Sequence, residues 1–128
     1  MSSPIIPVSW GEVFDKIAIL TIKTQRLRSP AAAANAAHEL ALLRDVANGV
    51  ESAFGTAELR GGLLAVNTRL WRIEELIREH EQKNCFDFDF ITLARAVYRE
   101  NDERGRIKQA LNRLLHSALV EEKQYPGY

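Results

Sequence analysis

The sequence has few cysteines and histidines, the residues whose disulfides and metal sites stabilise many small proteins. Its 128 residues include one cysteine, Cys85, so no internal disulfide can form and nothing demands an oxidising compartment. Its three histidines lie far apart and lack the short spacings of zinc ligands. We therefore predict no metal site.

The sequence also lacks a net charge and a long apolar run. Its 17 Lys and Arg balance 17 Asp and Glu, which leaves no broad basic field for nucleic acid or an acidic membrane. The apolar run at residues 17–20 is far shorter than the ~20 residues that span a bilayer, and the amino-terminal residues lack the pattern of a signal peptide. We predict a cytoplasmic protein that binds neither nucleic acid nor membrane.

Several nucleotide and hydrolase motifs are missing as well. The chain has no GxxxxGK[ST], GxGxxG or GxSxG pattern, so phosphate loops, dinucleotide folds and nucleophile elbows lack their signatures. No cofactor is predicted. What remains is ordinary soluble composition, 46% hydrophobic and 27% charged, at a length that fits one domain over residues 1–128.

The first half of the chain carries two helix signals. Ser9-Trp10-Gly11-Glu12 has the form of a capping box and predicts a helix to about Arg28, with a buried strand over 17–22 as the alternative. Pro30 suits the first turn of a second helix. That helix ends either at Asn48 or at Phe54, and the sequence does not decide between them.

The second half predicts two long helices. Thr56 is a candidate cap for a third helix that runs to about Asn84. Asp87 or Asp89 is a candidate cap for a fourth helix that runs to about Ser117. The third helix carries a heptad-like stripe formed by Leu59, Leu63, Val66, Leu70, Ile73, Ile77 and His80. The tail, residues 119–128, is predicted to be irregular.

These elements predict an all-α fold, an antiparallel bundle of about four helices. The two long helices, about 28 residues or 40 Å each, exceed what the shorter ones can cover. We therefore expect a homodimer that completes the bundle, with a monomeric bundle as the alternative.

The fourth helix has an unusual stripe. It is apolar at both ends and polar in the middle: Phe90, Ala94, Val97, Asn101, Arg104, Lys108, Leu111 and Leu115. Buried cations need partners, and Asp15 or Glu74 can supply them. The candidate polar layer consists of Asp15, Lys16, Glu74, Arg78, Asn101, Asp102, Arg104 and Lys108.

The polar layer supports several interpretations. A non-enzymatic, self-associating interaction module would use it as an ion-pair layer that sets the pairing of helices. Alternatively, Arg78, Arg104 and Lys108 bind an anionic small molecule, a class that includes phosphorylated metabolites, and Asp15 or Glu74 transfers protons. A bent helix would instead place these side chains in solvent.

Acidic residues on the two long helices raise one further alternative. Carboxylates from two such helices hold magnesium in all-helical nucleotide pyrophosphohydrolases. The acidic residues here alternate with arginines, which is typical of a solvated face. Chorismate-mutase-like enzymes share the helical architecture, but no motif matches them.

The chain resembles a family of small bacterial proteins of unknown function. The resemblance rests on PIIPVSWGEVFDKI (4–17), VNTRLWRIEE (66–75), FITLARAVYRENDER (90–104) and LVEEKQY (119–125). It implies a bacterial cytoplasmic protein with one full-length domain, and no activity or ligand. The family pattern includes Ser9, Gly11, Glu12, Asp15, Lys16, Trp71, Glu74, Arg78, Asn101, Asp102, Arg104 and Lys108.

Overall fold

The computed structural model describes residues 2–119, 121–124 and 127. These residues form four helices: α1 (Trp10–Arg26), α2 (Pro30–Ala47), α3 (Thr56–Gln82) and α4 (Phe88–Leu114). Within the described ranges there is no strand, so the predicted all-α class is confirmed. Positions 1, 120, 125, 126 and 128, predicted to be extended or irregular, lie outside the described residues.

Three helix starts follow from capping side chains. The hydroxyls of Ser9 and Ser29 each accept from the backbone N–H three residues on, both at 3.2 Å, and Asp87 Oδ1 does so at 3.0 Å. Asp87 rather than Asp89 is therefore the cap of α4. The alternative strand over 17–22 is wrong, because this run continues the helix that Ser9 starts.

The connection between α2 and α3 shows where α2 ends and contradicts the prediction that Thr56 is the cap of α3. Asn48 caps α2, so the helix does not reach Phe54. The prediction of Thr56 as a cap is wrong: Gly55 occupies that position with φ 86°, a left-handed conformation that glycine adopts without strain. Thr56 is the first helical residue and is fully buried, and its hydroxyl has no hydrogen-bond partner among the described residues.

The two long helices end in the same backbone motif. At the end of α3, the Asn84 N–H donates to the Glu81 carbonyl at 3.1 Å and the Cys85 N–H donates to the His80 carbonyl at 2.9 Å. This pair of bonds is a Schellman motif, with Asn84 at φ 50°. Equivalent bonds of 3.3 and 2.8 Å end α4, with His116 at φ 54°.

Helix α1 is the centre of the packing. It contacts each of the other helices, whereas α2, within the described chain, packs on α1 alone. The apolar core lies around α1 and includes Val13, Phe14, Ile17, Leu20, Leu40, Ala47, Leu63, Val66 and Leu111. No described helix combines the length and the apolar character needed to cross a membrane.

Helices α3 and α4 contact each other along their length. Leu114 lies beside Gly55, Ile107 beside Gly62, Glu100 beside Arg69 and Phe90 beside His80. Within residues 71–104, which we name the distal arm, every side chain is half-buried or exposed. The core therefore occupies one end of this helix pair.

Candidate functional site

The Asp15 carboxylate on α1 is the centre of a buried polar cluster. Arg104 of α4 donates from Nε to Asp15 Oδ1 at 2.8 Å, and its Nη2 pairs with Oδ2. Asn67 of α3 donates from Nδ2 to Oδ1 at 2.9 Å. Arg104 Nη1 also donates to Asn101 Oδ1 at 3.4 Å. We name these four residues, Asp15, Asn67, Asn101 and Arg104, the Asp15 cluster.

The Asp15 cluster joins three helices. A bidentate ion pair between Asp15 and Arg104 links α1 to α4, and the Asn67 amide links α3 to the same carboxylate. The Asp15 side chain is 1% exposed and Arg104 is 28% exposed, so the pair is shielded from water on the carboxylate side. The hydrogen bond to Asp15 raises the pKa of Arg104 above its ordinary value, against the opposing effect of burial. The arrangement is bidentate and is further satisfied by an amide, which is what a buried carboxylate requires.

Lys108, one helical turn beyond Arg104, makes a second ion group, in which the lysine is buried and its two carboxylate partners are partly exposed. Its Nζ lies 2.9 Å from Glu12 Oε2 and 2.9 Å from Glu121 Oε2. Burial lowers the pKa of Lys108, but hydrogen bonds to Glu12 and Glu121 raise it, and the net result lies above the ordinary value. The hydrogen bond from Lys108 in turn lowers the pKa of Glu121. The segment after α4 thus returns to complete this group.

The start of α1 lies directly against α4. The Gly11 N–H donates to Asn112 Oδ1 at 2.7 Å, and the Trp10 N–H donates to Ser117 Oγ at 2.9 Å. A Cβ on Gly11 would lie 2.4 Å from the Lys108 carbonyl oxygen. Only glycine permits this approach, which keeps Glu12 and Asp15 opposite their partners on α4.

A groove of about 570 Å³ opens between α1, α3 and α4 beside the Asp15 cluster. Its walls are formed by Ile19, Ile22, Asn67, Leu70, Trp71, Glu74, Glu75, Arg78, Asn101 and Arg104. The two glutamates and two arginines of this set cancel in charge. Asp15 already neutralises Arg104, and Arg78 lies 4.0 Å from Glu74. The groove therefore combines an apolar wall with ion pairs and has no excess of positive charge.

A separate polar group lies at the end of the distal arm. His80, Cys85 and Asp87 each offer one metal-ligating atom, and these atoms lie within 4.8 Å of one another. His80 Nδ1 lies 2.9 Å from the Cys85 carbonyl oxygen and 3.6 Å from Asp87 Oδ1. A hydrogen bond with Asp87 raises the pKa of the Cys85 thiol. We name these residues the tip cluster.

Comparison with known proteins places the chain in one family. Residues 5–127 match the model of DUF6165, described as a family of unknown function. The chain belongs to this family. No curated protein and no solved structure matches it. DUF6165 membership confirms the resemblance to a family of unknown function.

In this DUF6165 member, the eight residues of the predicted polar layer fall into distinct places. Arg104 contacts both Asp15 and Asn101 in the Asp15 cluster. Lys108 lies one turn further along α4, paired with residues that the prediction did not include.

The other four predicted residues lie further out. Glu74 and Arg78 pair with each other on the groove wall, with Arg78 79% exposed. Asp102 is half-buried on α4. Lys16 points away from the groove and lies 3.6 Å from Glu39 of α2. Successive helical residues are about 100° apart, so Lys16 cannot share the face of Asp15.

Sequence reasoning missed four residues of this DUF6165 member: Glu12, Asn67 and Glu121, which belong to the ion groups, and Asn112, which accepts from the Gly11 N–H. Asn67 had a visible signal, since it is a polar residue beside Val66 in the apolar stripe of α3. Glu12 was assigned to a capping box, but its carboxylate binds Lys108. Glu121 fell in a segment predicted to be irregular, where nothing in the local pattern indicates a contact with α4.

Proposed function

We propose that this protein is a helical interaction module that self-associates as a homodimer through the distal arm. We place it in the bacterial cytoplasm as one domain, an antiparallel bundle of four helices completed by the second copy. The observation that carries the proposal is the distal arm itself, where no side chain of residues 71–104 is fully buried.

The distal arm presents large apolar side chains to solvent. Phe86, Phe88, Ile91 and Tyr98 are 52%, 79%, 50% and 43% exposed. With ~200 Å² for an aromatic side chain, their exposed parts supply roughly 400–500 Å². A stable interface needs about 800 Å² on each partner, so these four side chains provide about half of one.

The lengths of the helices favour a second copy as the occupant. Helices α3 and α4 have 27 residues each, whereas α1 has 17. At 1.5 Å per residue, α1 is about 15 Å shorter than either, so it cannot cover the whole length of the distal arm. A second distal arm has the matching length and apolar character, and a twofold axis lets each arm cover the other.

The Asp15 cluster serves this function by fixing how α1, α3 and α4 are positioned against one another. Its fork-to-fork pair sets the position of α1 against α3 and α4, and thereby the orientation of the distal arm. Ion-pair layers of this kind select one register among several apolar alternatives.

Sedimentation equilibrium over a range of protein concentrations tests the proposal. We expect a mass of twice the 14.5 kDa of one chain. The double variant Phe88→Ser, Ile91→Ser should sediment as a monomer with an unchanged helical circular dichroism spectrum.

Phe54→Ser is the matched control, because Phe54 is 98% exposed but lies outside the distal arm. This variant should remain dimeric. A wild-type protein that stays at 14.5 kDa at high concentration would refute the proposal, as would a Phe54→Ser variant that dissociates as readily as the double variant.

A second candidate function is the binding of an anionic small molecule in the groove, with Arg78 exposed at its wall. Arg78 is its most accessible cation, and Arg104, Asn67 and Asn101 line its inner wall. In this version Arg78 and Arg104 hold the anion, Lys108 supports them from the next turn, and Asp15 or Glu74 handles protons.

A thermal-shift panel of nucleotides, sugar phosphates and dicarboxylates, each with and without Mg²⁺, tests this second function. A ligand at 100 times its dissociation constant stabilises the protein by ~2.7 kcal/mol, a rise of roughly 8–15 °C in Tm. The shift should vanish in Arg78→Gln and persist in Arg72→Gln, which changes an exposed arginine outside the groove wall. A flat panel would exclude these ligand classes.

A further inference from the structure

The end of α3 holds three different metal-ligating groups in one place. The Schellman motif fixes the Cys85 N–H on the His80 carbonyl oxygen at 2.9 Å. The His80 ring then bonds back to the Cys85 carbonyl oxygen, also at 2.9 Å. These two bonds join the same two residues and hold the imidazole beside the residue that carries the thiol.

Asp87 reaches this pair for a different local reason. As the cap of α4, it uses Oδ1 to accept from the Phe90 N–H at 3.0 Å. This bond fixes the carboxylate beside the His80 ring, with Oδ1 3.6 Å from Nδ1. Capping occupies one oxygen and leaves the other available to a ligand.

We propose that the tip cluster, His80, Cys85 and Asp87, binds a divalent transition-metal ion of the zinc class. Thiolate, imidazole and carboxylate are the three side-chain ligands that zinc takes, and three protein ligands plus water complete a tetrahedral site. Ligands at 2.0–2.3 Å from zinc lie about 3.3–3.8 Å apart. Since the ligating atoms already lie within 4.8 Å of one another, they need to close by no more than about 1.5 Å.

The surroundings of the cluster support an ordered site. Phe90 packs 6.1 Å from the His80 ring and 5.2 Å from the Phe86 ring, centroid to centroid, which restricts the imidazole. A metal bound through His80 Nε2 keeps the hydrogen bond to the Cys85 carbonyl, the support that metal-binding histidines commonly have. A metal bound through Nδ1 replaces that bond. On binding, the Cys85 thiol releases its proton to solvent.

Titration of the full-length, metal-free protein with Co²⁺ and Zn²⁺ tests this proposal. We expect one Co²⁺ per chain with a thiolate-to-cobalt charge-transfer band, and its displacement by Zn²⁺ with a dissociation constant of about 1 µM or below. Cys85→Ser should abolish the charge-transfer band. Asp87→Asn, which preserves the capping oxygen, should weaken Zn²⁺ binding by at least about tenfold.

Two controls separate this site from surface binding and from self-association. Asp89→Asn removes a neighbouring exposed carboxylate and His38→Gln a distant imidazole, and neither should change the titration. The measurement is repeated on Phe88→Ser, Ile91→Ser, so that loss of a dimer is not mistaken for loss of a site. A bound Co²⁺ without the charge-transfer band, or Zn²⁺ affinity unchanged in Cys85→Ser, would overturn the proposal.

Discussion

Asp15 shows how much a single buried carboxylate can hold together. It receives hydrogen bonds from residues on α3 and α4 while belonging to α1. Asp15→Asn keeps the shape of the side chain but removes the charge opposite Arg104. Breaking a buried pair in this way costs about 3–5 kcal/mol. We expect that loss in the free energy of unfolding, measured by urea denaturation.

Lys16→Gln is the control for this prediction. It changes the adjacent residue, whose pair with Glu39 is half-exposed on both sides. An exposed pair contributes about 0–1 kcal/mol, so the change should be small. Equal losses in both variants would mean that the ion pair of Asp15 carries no special share of the stability.

The contact between Lys108 and Glu121 makes stability depend on pH. The hydrogen bond from Lys108 lowers the pKa of Glu121 below its ordinary value of 4.5. Because this pKa is lower in the folded state, the contribution is complete above 4.5 and disappears as pH falls through the folded-state value. We expect Glu121→Gln to be less stable than wild type at neutral pH and to approach it in acid, in urea denaturation series at several pH values.

Glu122→Gln is the matched control for the acid series, since Glu122 is exposed and adjacent. Its curve should parallel that of the wild type. If the free energy of unfolding of Glu121→Gln fell below pH 4.5 as steeply as that of the wild type, the proposed linkage would be contradicted.

At the scale of elements, two glycines in helices should respond oppositely to alanine. A Cβ at Gly11 meets the Lys108 carbonyl oxygen at 2.4 Å, whereas one at Gly61 has no heavy atom within 4 Å. Gly11→Ala forces α1 and α4 apart, and overpacking of this kind costs about 1–3 kcal/mol. Gly61→Ala only gains helix propensity, about 0.5–1 kcal/mol. Measured by urea denaturation, the free energy of unfolding should therefore fall in Gly11→Ala and rise in Gly61→Ala. A Gly11→Ala variant as stable as the wild type would refute the close approach.

Helix starts were the most predictable elements because their causes are local. Ser9, Ser29 and Asp87 each bond to a backbone N–H three residues away, so the sequence contains the whole interaction. Thr56 is not the cap, because the residue before it, Gly55, takes the left-handed conformation at that position. Local propensity does not reveal which of two neighbouring residues the turn will use.

The candidate site was predictable only in part because its contacts span the chain. The polar stripe of α4 indicated Arg104 and Lys108, since cations on an apolar face are unusual. Their partners at positions 12, 67 and 121 depend on how the helices pack, and no local pattern encodes that. The tip cluster was missed because its spacing becomes a constellation only when the helix end folds back.

At the scale of the whole molecule, the packing predicts unequal stability among the helices. Among the described helices, α2 packs only on α1, whereas α1 contacts three helices. Local opening is easiest where few contacts must break. In native-state hydrogen exchange, we expect α2 amides to exchange at a lower free energy than α1 amides. Equal protection in both helices would show that α2 opens only with the whole molecule.

The contacts that hold α1 have a consequence for a chain made from its amino terminus. The Gly11 to Asn112 bond spans 101 positions, and the Arg104 to Asp15 bond spans 89. A nascent chain on the ribosome therefore has α1 and α2 available long before α4, which holds Asn112 and Arg104, emerges. During synthesis the Asp15 carboxylate must stay hydrated, and the two ion groups assemble only after α4 has been made.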